Sequence, residues 1–161
     1  MFFNDIYGGW ESVQTEKYSG IFDILGNDFL SGILGKKCLD IGCGNGLFES
    51  FAKSRVKAKI CGVDVSEGGH VIGDGDMLPF RNESFDSVVS IDTMHLLKVD
   101  DFRRVLKKRG FALLTTFFND SNFHERRKML FDKLRGFEIL AEFEMRGREN
   151  EHVVLARKRY C

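Results

Sequence analysis

Three glycines at alternate positions, placed directly after a short apolar run, constrain this chain more than anything else in it. Lys37 to Ile41 reads as a β-strand, Gly42-Cys43-Gly44-Asn45-Gly46 follows without a break, and Leu47, Phe48, Phe51 and Ala52 then mark a helix over 47–54. Glycine reaches left-handed backbone conformations without steric cost, and a turn free of Cβ atoms lets a ligand approach the main chain. The helix that follows leaves its first N–H groups unpaired, so strand, turn and helix together make a seat for a nucleotide-like molecule. A dinucleotide fingerprint needs its third glycine at position 47, where this chain has Leu47, and the spacing argues against NAD.

The remaining periodicities extend the pattern. Tyr18, Ile21, Phe22, Leu25 and Phe29 predict an amphipathic helix from about Glu16 to Leu30. Strands are expected over 57–65, 85–91 and 111–118, with a helix over 99–108 before the last of them. A helix over 122–134 follows, and then a hairpin built from the alternation Phe137, Ile139, Ala141, Phe143, Met145 and the run 152–156. Alternating strands and helices predict an α/β fold, Rossmann-like, with a mostly parallel sheet of order 2-1-4-5 closed by the C-terminal antiparallel hairpin. With no repeat or proline-rich linker, and Pro79 alone in a loop, 1–161 reads as one domain: a helical or lid segment 1–35, a ligand-binding core 36–118, and a closing helix and hairpin 119–161.

Four segments in order carry a family resemblance. Asp40-Ile41-Gly42-Cys43-Gly44-Asn45-Gly46 resembles the first motif of class I S-adenosylmethionine-dependent methyltransferases, and Val63-Asp64-Val65-Ser66 ends a strand 18 residues after Gly46. Gly73-Asp74-Gly75-Asp76-Met77-Leu78-Pro79-Phe80 and Ser84-Phe85-Asp86-Ser87-Val88-Val89-Ser90 resemble segments of the small-molecule-type branch of that family, and 105–110 resembles the stretch before its fifth strand. The resemblance implies S-adenosylmethionine as cofactor and S-adenosylhomocysteine as product. It implies that the main chain at Gly42, Cys43, Gly44 and Gly46, with Asp40, holds the methionine end, together with Ser90 and Ile91. Asp64 would accept from both ribose hydroxyls, with Val65 beside it, while Asp74, Gly75 and Asp76 would border the adenine. It also implies an aromatic lid from Tyr7, Trp10 and Tyr18; for Tyr18 a place in the core is the other reading.

The sulfonium already makes the methyl group electrophilic, so holding a nucleophile in line suffices, and Asp92 or His95 beyond the fourth strand would serve as base only for an acceptor that must lose a proton. The place where nucleic-acid amino methyltransferases carry their motif reads Ser90-Ile91-Asp92-Thr93, and Lys plus Arg equals Asp plus Glu at 24 each, which together argue against a nucleic-acid target; the resemblance to the small-molecule-type branch implies a small-molecule acceptor, with an exposed group on a macromolecule as the other reading. Cys38, Cys43, Cys61 and Cys161 show no C-x-x-C pair and His70, His95, His124 and His152 are scattered, so reduced thiols and no metal are expected. Met1 to Trp10 lacks the basic start and apolar run of a secretion signal, and no stretch approaches the roughly 20 apolar residues of a span, which predicts a cytoplasmic protein away from membranes. Only Glu67 to Ile72 separate Ser66 from Gly73, fewer than the dozen or so residues of a helical crossover, so the third strand should be absent or a stub, the adenine pocket open, and the exposed sheet edge available to a second copy of the chain. A cofactor-binding module without catalysis, or a nicotinamide-dependent oxidoreductase, are the alternatives from other classes.

Overall fold

In a computed structural model the protein is described for residues 2–67 and 70–160, with side chains from Gly9 onward. Strands β1 (Lys37–Ile41), β2 (Lys59–Asp64), β3 (Val71–Ile72), β4 (Phe85–Ile91), β5 (Leu106–Phe118), β6 (Glu138–Met145) and β7 (Asn150–Arg157) form one sheet of order β3-β2-β1-β4-β5-β7-β6. β1 runs parallel to β2 and β4, β4 runs parallel to β5, and β7 inserts antiparallel between β5 and β6. Successive strand residues point to opposite faces. Leu39, Val88 and Leu114 therefore enter one core, beneath α4 (Phe102–Val105) and α5 (Phe123–Lys133), while Cys38, Val89 and Leu113 enter the other. That second core is covered by α1 (Phe2–Leu25), α2 (Asn27–Leu34) and α3 (Leu47–Arg55). Among the described residues no helix is long and apolar enough to cross a membrane.

Strands at 37–41 and 85–91 stand where the apolar runs place them; the helices differ more. The expected helix over 16–30 is two: α1 begins far upstream, and Gly26, at φ +90°, breaks it before α2. The expected helix over 99–108 is one turn only. Its second half joins β5, because Glu83 and Ser84 donate to the carbonyls of Arg104 and Val105, and Arg109 and Gly110 exchange hydrogen bonds with Lys158. A backbone engaged on both sides in this way has no groups left for a helical ladder.

The third strand is the expected stub. Val71 and Ile72 pair in parallel with Val63 and Asp64, the last two residues of β2, so the chain has to step back by only two residues and six connecting residues are enough. Upstream of that pair His70 takes over the edge: its Nδ1 accepts the Gly62 N–H at 2.9 Å. β2 is thus covered by a stub and a side chain rather than by a full neighbouring strand.

Candidate functional site

The strand β1 ends on Ile41, and the turn to α3 keeps Gly42, Gly44 and Gly46 all at positive φ. At Gly42 the requirement is double: its φ is +75°, and an added Cβ would lie 2.1 Å from Thr93 Oγ1. Thr93 follows the end of β4 and sits against the glycine turn, and this contact divides two cavities of about 340 Å³ each, both bordered by Gly42 and Thr93. One is lined by Asp40, Cys43, Gly44, Ile91, Asp92 and His95, with Trp10 and Tyr18 from α1. The other is lined by Asp64, Val65, Gly73, Asp74, Gly75 and Asp76. Most of the expected residues are therefore gathered on either side of Gly42 and Thr93, while Gly46 and fully buried Ser90 line neither cavity.

The carboxylates differ in state. Asp64 Oδ2 accepts the Gly44 N–H at 2.9 Å, and Oδ1 accepts the Ser66 N–H and hydroxyl. Burial pushes this carboxyl up, but the donors from Ser66 and Gly44 outweigh it and hold Asp64 below the usual carboxylate range. Asp40 is buried without such donors, and burial, then the charges of Glu49 and Asp64, push it up to about 7. Asp74 accepts the Asp76 N–H, while Asp76 accepts the N–H groups of Lys98 and Val99 and so fixes the loop that lines the second cavity. Ser90, fully buried, donates its hydroxyl to the Ile41 carbonyl and ties β4 to β1 below the turn. The second cavity is open: Val65 is 76% exposed and Leu96 68%.

Tyr18 belongs to the core. It is 5% exposed, packs edge-on against Phe48 at 5.2 Å between ring centres, and still borders the first cavity. Trp10 borders the same cavity from the preceding turns of α1 and is half-exposed, whereas the Tyr7 side chain lies outside the described residues. Burial pushes the Cys43 thiol up to about 12, which leaves it a small packed group rather than a nucleophile.

Beyond the first cavity lies a buried charge cluster that only the fold assembles. Lys17 of α1, 3% exposed at its side chain, meets Asp92 Oδ2 at 2.9 Å, Glu151 Oε2 at 2.8 Å and Glu149. Burial opposes its charge, but Glu151 and Asp92 outweigh burial and raise the Lys17 pKa. Asp92, at φ +58°, also accepts the Phe117 N–H at 2.8 Å through Oδ1. The oxygens of Asp92, Glu149 and Glu151 are near enough to one another to hold a metal ion, yet the Lys17 ammonium occupies their centre, donating to Asp92 and Glu149 and lying 2.8 Å from Glu151 Oε2, so a lysine takes the place a metal would fill. Asp92 is committed at both oxygens. His95 is the freer base: its Nδ1 is buried without a partner, its ring stands edge-on to Phe117 at 5.4 Å, and burial, then Arg126, lowers its pKa, which keeps it neutral.

Residues 39–114 match the model of a family described as a methyltransferase domain. A fatty-acid O-methyltransferase of Mycolicibacterium smegmatis is 30% identical over 101 residues, which cover 50% of this chain and 37% of that protein, so the chain corresponds to little more than a third of that relative's length. Among solved structures, a SAM-dependent methyltransferase from Aquifex aeolicus superposes with a TM-score of 0.64 at 18% identity, over 87% of this chain and 88% of its own. The cyclase SpnF superposes with a TM-score of 0.66 at 17% identity, over 83% of this chain and 80% of its own. Residues 39–114 thus resemble a methyltransferase domain, and the strand order and the superpositions give the chain a class I, Rossmann-like α/β fold.

Proposed function

We propose that the protein binds S-adenosylmethionine across the two cavities and transfers its methyl group to a small-molecule acceptor. The observation that carries this reading is the constriction at Gly42 and Thr93, which joins a cavity lined by Asp64, Asp74 and Gly75 to one lined by Asp40 and aromatic side chains. A ribose offers two hydroxyls to Asp64, an adenine fits beside Asp74 and Gly75, and an amino-acid ammonium fits against Asp40. When bound, the cofactor supplies an electrophilic methyl group, and the protein's part is to align the acceptor and exclude water. Wall residues of α1 serve the second task. The name of the relative, a fatty-acid O-methyltransferase, supports a small organic acceptor. Likeness to a cyclase is a reminder that this fold serves more than one reaction, so turnover has to be tested apart from binding.

Titration calorimetry with S-adenosylmethionine, S-adenosylhomocysteine and NAD(H) tests the cofactor. Binding of the first two without the third is expected, while NAD(H) binding alone would replace this reading with an oxidoreductase. A cofactor bound without methyl transfer to any acceptor pool would make the chain a binding module.

Asp40 adds a pH signature. Its pKa near 7 means that about half the molecules carry a proton there at neutral pH, whereas a ligand ammonium meets the ionised form. Ligand affinity should therefore rise from pH 6 to pH 8, with proton release on binding near pH 7. Calorimetry in two buffers of different ionisation enthalpy measures that release, and a pH-independent affinity would remove Asp40 from the ammonium position.

A further inference from the structure

The first cavity is acidic and aromatic in a way that the cofactor alone does not account for. Its lining includes the carboxylates Asp40, Asp92 and Glu149 and contains neither lysine nor arginine. Glu151 stands directly behind, and the single cation, Lys17, already divides its ammonium among Asp92, Glu149 and Glu151. Three carboxylates against one ammonium leave an excess of negative charge even where burial, then Asp92, keeps a proton on Glu151 by pushing it up to about 9. Arg126, the next cation on that side, lies over the Phe117 ring at 5.0 Å and does not line the cavity.

Sheet order separates this excess from the cofactor's own needs. Asp40 is the penultimate residue of β1, whereas Asp92 follows the neighbouring β4, and the Glu149 carboxylate, just before β7, reaches to within 4.8 Å of that of Asp92. One carboxylate cannot serve a ligand cation at both ends. The far end is walled by the rings of Tyr18 and Phe117, and Phe117 already has Lys17 Nζ 6.0 Å from its centre, a ring environment that suits a cation. Among the described residues Glu149 Oε2 has no hydrogen-bond donor, and Oε1 alone takes Lys17.

We propose that this far end is an ammonium site and that the methyl acceptor is a small primary or secondary amine, held by the free Oε2 of Glu149 beside the rings of Tyr18 and Phe117, rather than a carboxylic acid. This rests on the methyl-transfer reading above. The bound ammonium first gives one proton to solvent water. The nitrogen lone pair so released forms the new N–CH3 bond as the S–CH3 bond breaks, and the electron pair of the broken bond stays on sulfur. The products are the N-methylated ammonium and S-adenosylhomocysteine. An incoming carboxylate would meet the like charges of Asp92 and Glu149.

The test is calorimetry on protein saturated with S-adenosylhomocysteine, using benzylamine, benzyl alcohol and benzoate as probes of one skeleton. Benzylamine should bind at least about tenfold more tightly than benzoate. Glu149→Gln should weaken benzylamine about fivefold, the upper range for a partly exposed charge, while leaving S-adenosylhomocysteine affinity and the melting temperature nearly unchanged. With S-adenosylmethionine present, mass spectrometry should show N-methylbenzylamine. Benzoate binding as tightly as benzylamine, or a benzylamine affinity indifferent to Glu149→Gln, would overturn the amine site while the cofactor reading stands. Failure of S-adenosylhomocysteine to bind folded protein would take down both.

Discussion

Lys17→Met is expected to lower the unfolding free energy by about 3–5 kcal/mol, the usual cost of removing one member of a buried charge cluster. The lost ammonium leaves Asp92, Glu149 and fully buried Glu151 facing one another without a counter-charge. For a domain of this size the melting temperature should fall by roughly 10 °C. The pH dependence has a definite sign. Glu151, raised in the folded state by burial and Asp92, costs stability as pH climbs above its unfolded value, and losing the Lys17 charge that opposes this raises it further, so the deficit should be larger at pH 8 than at pH 5. Adding Glu151→Gln should recover part of it, because the two sites are in direct contact and their effects will not add. Thermal melts of the four proteins of that cycle check the argument; equal losses in the single and double variants would mean that Lys17 acts through packing of its alkyl stem instead.

Asp64→Ala should weaken S-adenosylhomocysteine binding about 100-fold, or roughly 3 kcal/mol. Two ribose hydroxyls lose a charged acceptor at once, and the Gly44 and Ser66 N–H groups lose the oxygen that fixes the glycine turn. Asp64→Asn keeps one acceptor oxygen and should sit between, near tenfold. Because Asp64 is only half-buried, the fold should survive with a stability loss of about 1 kcal/mol. Calorimetry beside a thermal melt separates the two effects. An unchanged affinity in a well-folded Asp64→Ala protein would move the ribose elsewhere in the second cavity.

These two residues mark what was legible before the structure and what was not. Asp64 could be found because it follows an apolar strand at a fixed distance from the glycine turn, and local order along the chain carries that information. Lys17 could not be found. It occupies one position in an otherwise apolar helical stripe, where a lysine ordinarily extends to solvent, and its partners lie 75 and more residues away. Glu151 and His152 were equally hidden: a hairpin strand has one solvated face in most sheets, whereas β7 is covered on both faces and flanked by β5 and β6, so polar residues at its start are enclosed.

The same division runs through the backbone. Apolar runs bounded by glycine specified β1 and β4, and the short interval between Ser66 and Gly73 foretold the stub β3, since each depends only on local spacing. The helix over 99–108 failed for a tertiary reason: its hydrophobic period is real, but the carbonyls of 104–105 are claimed by Glu83 and Ser84 and the groups of 109–110 by Lys158. The sequence by itself determined the strand–glycine–helix seat, the parallel order of the central strands and the acidic residues beside the turn, because these follow from short-range pattern and steric freedom. Only the tertiary structure decided that Thr93 meets Gly42, that two cavities join there, and that Lys17, Asp92, Glu149 and Glu151 form one buried cluster, because contacts between distant segments depend on how helices and strands pack, and no local pattern encodes that.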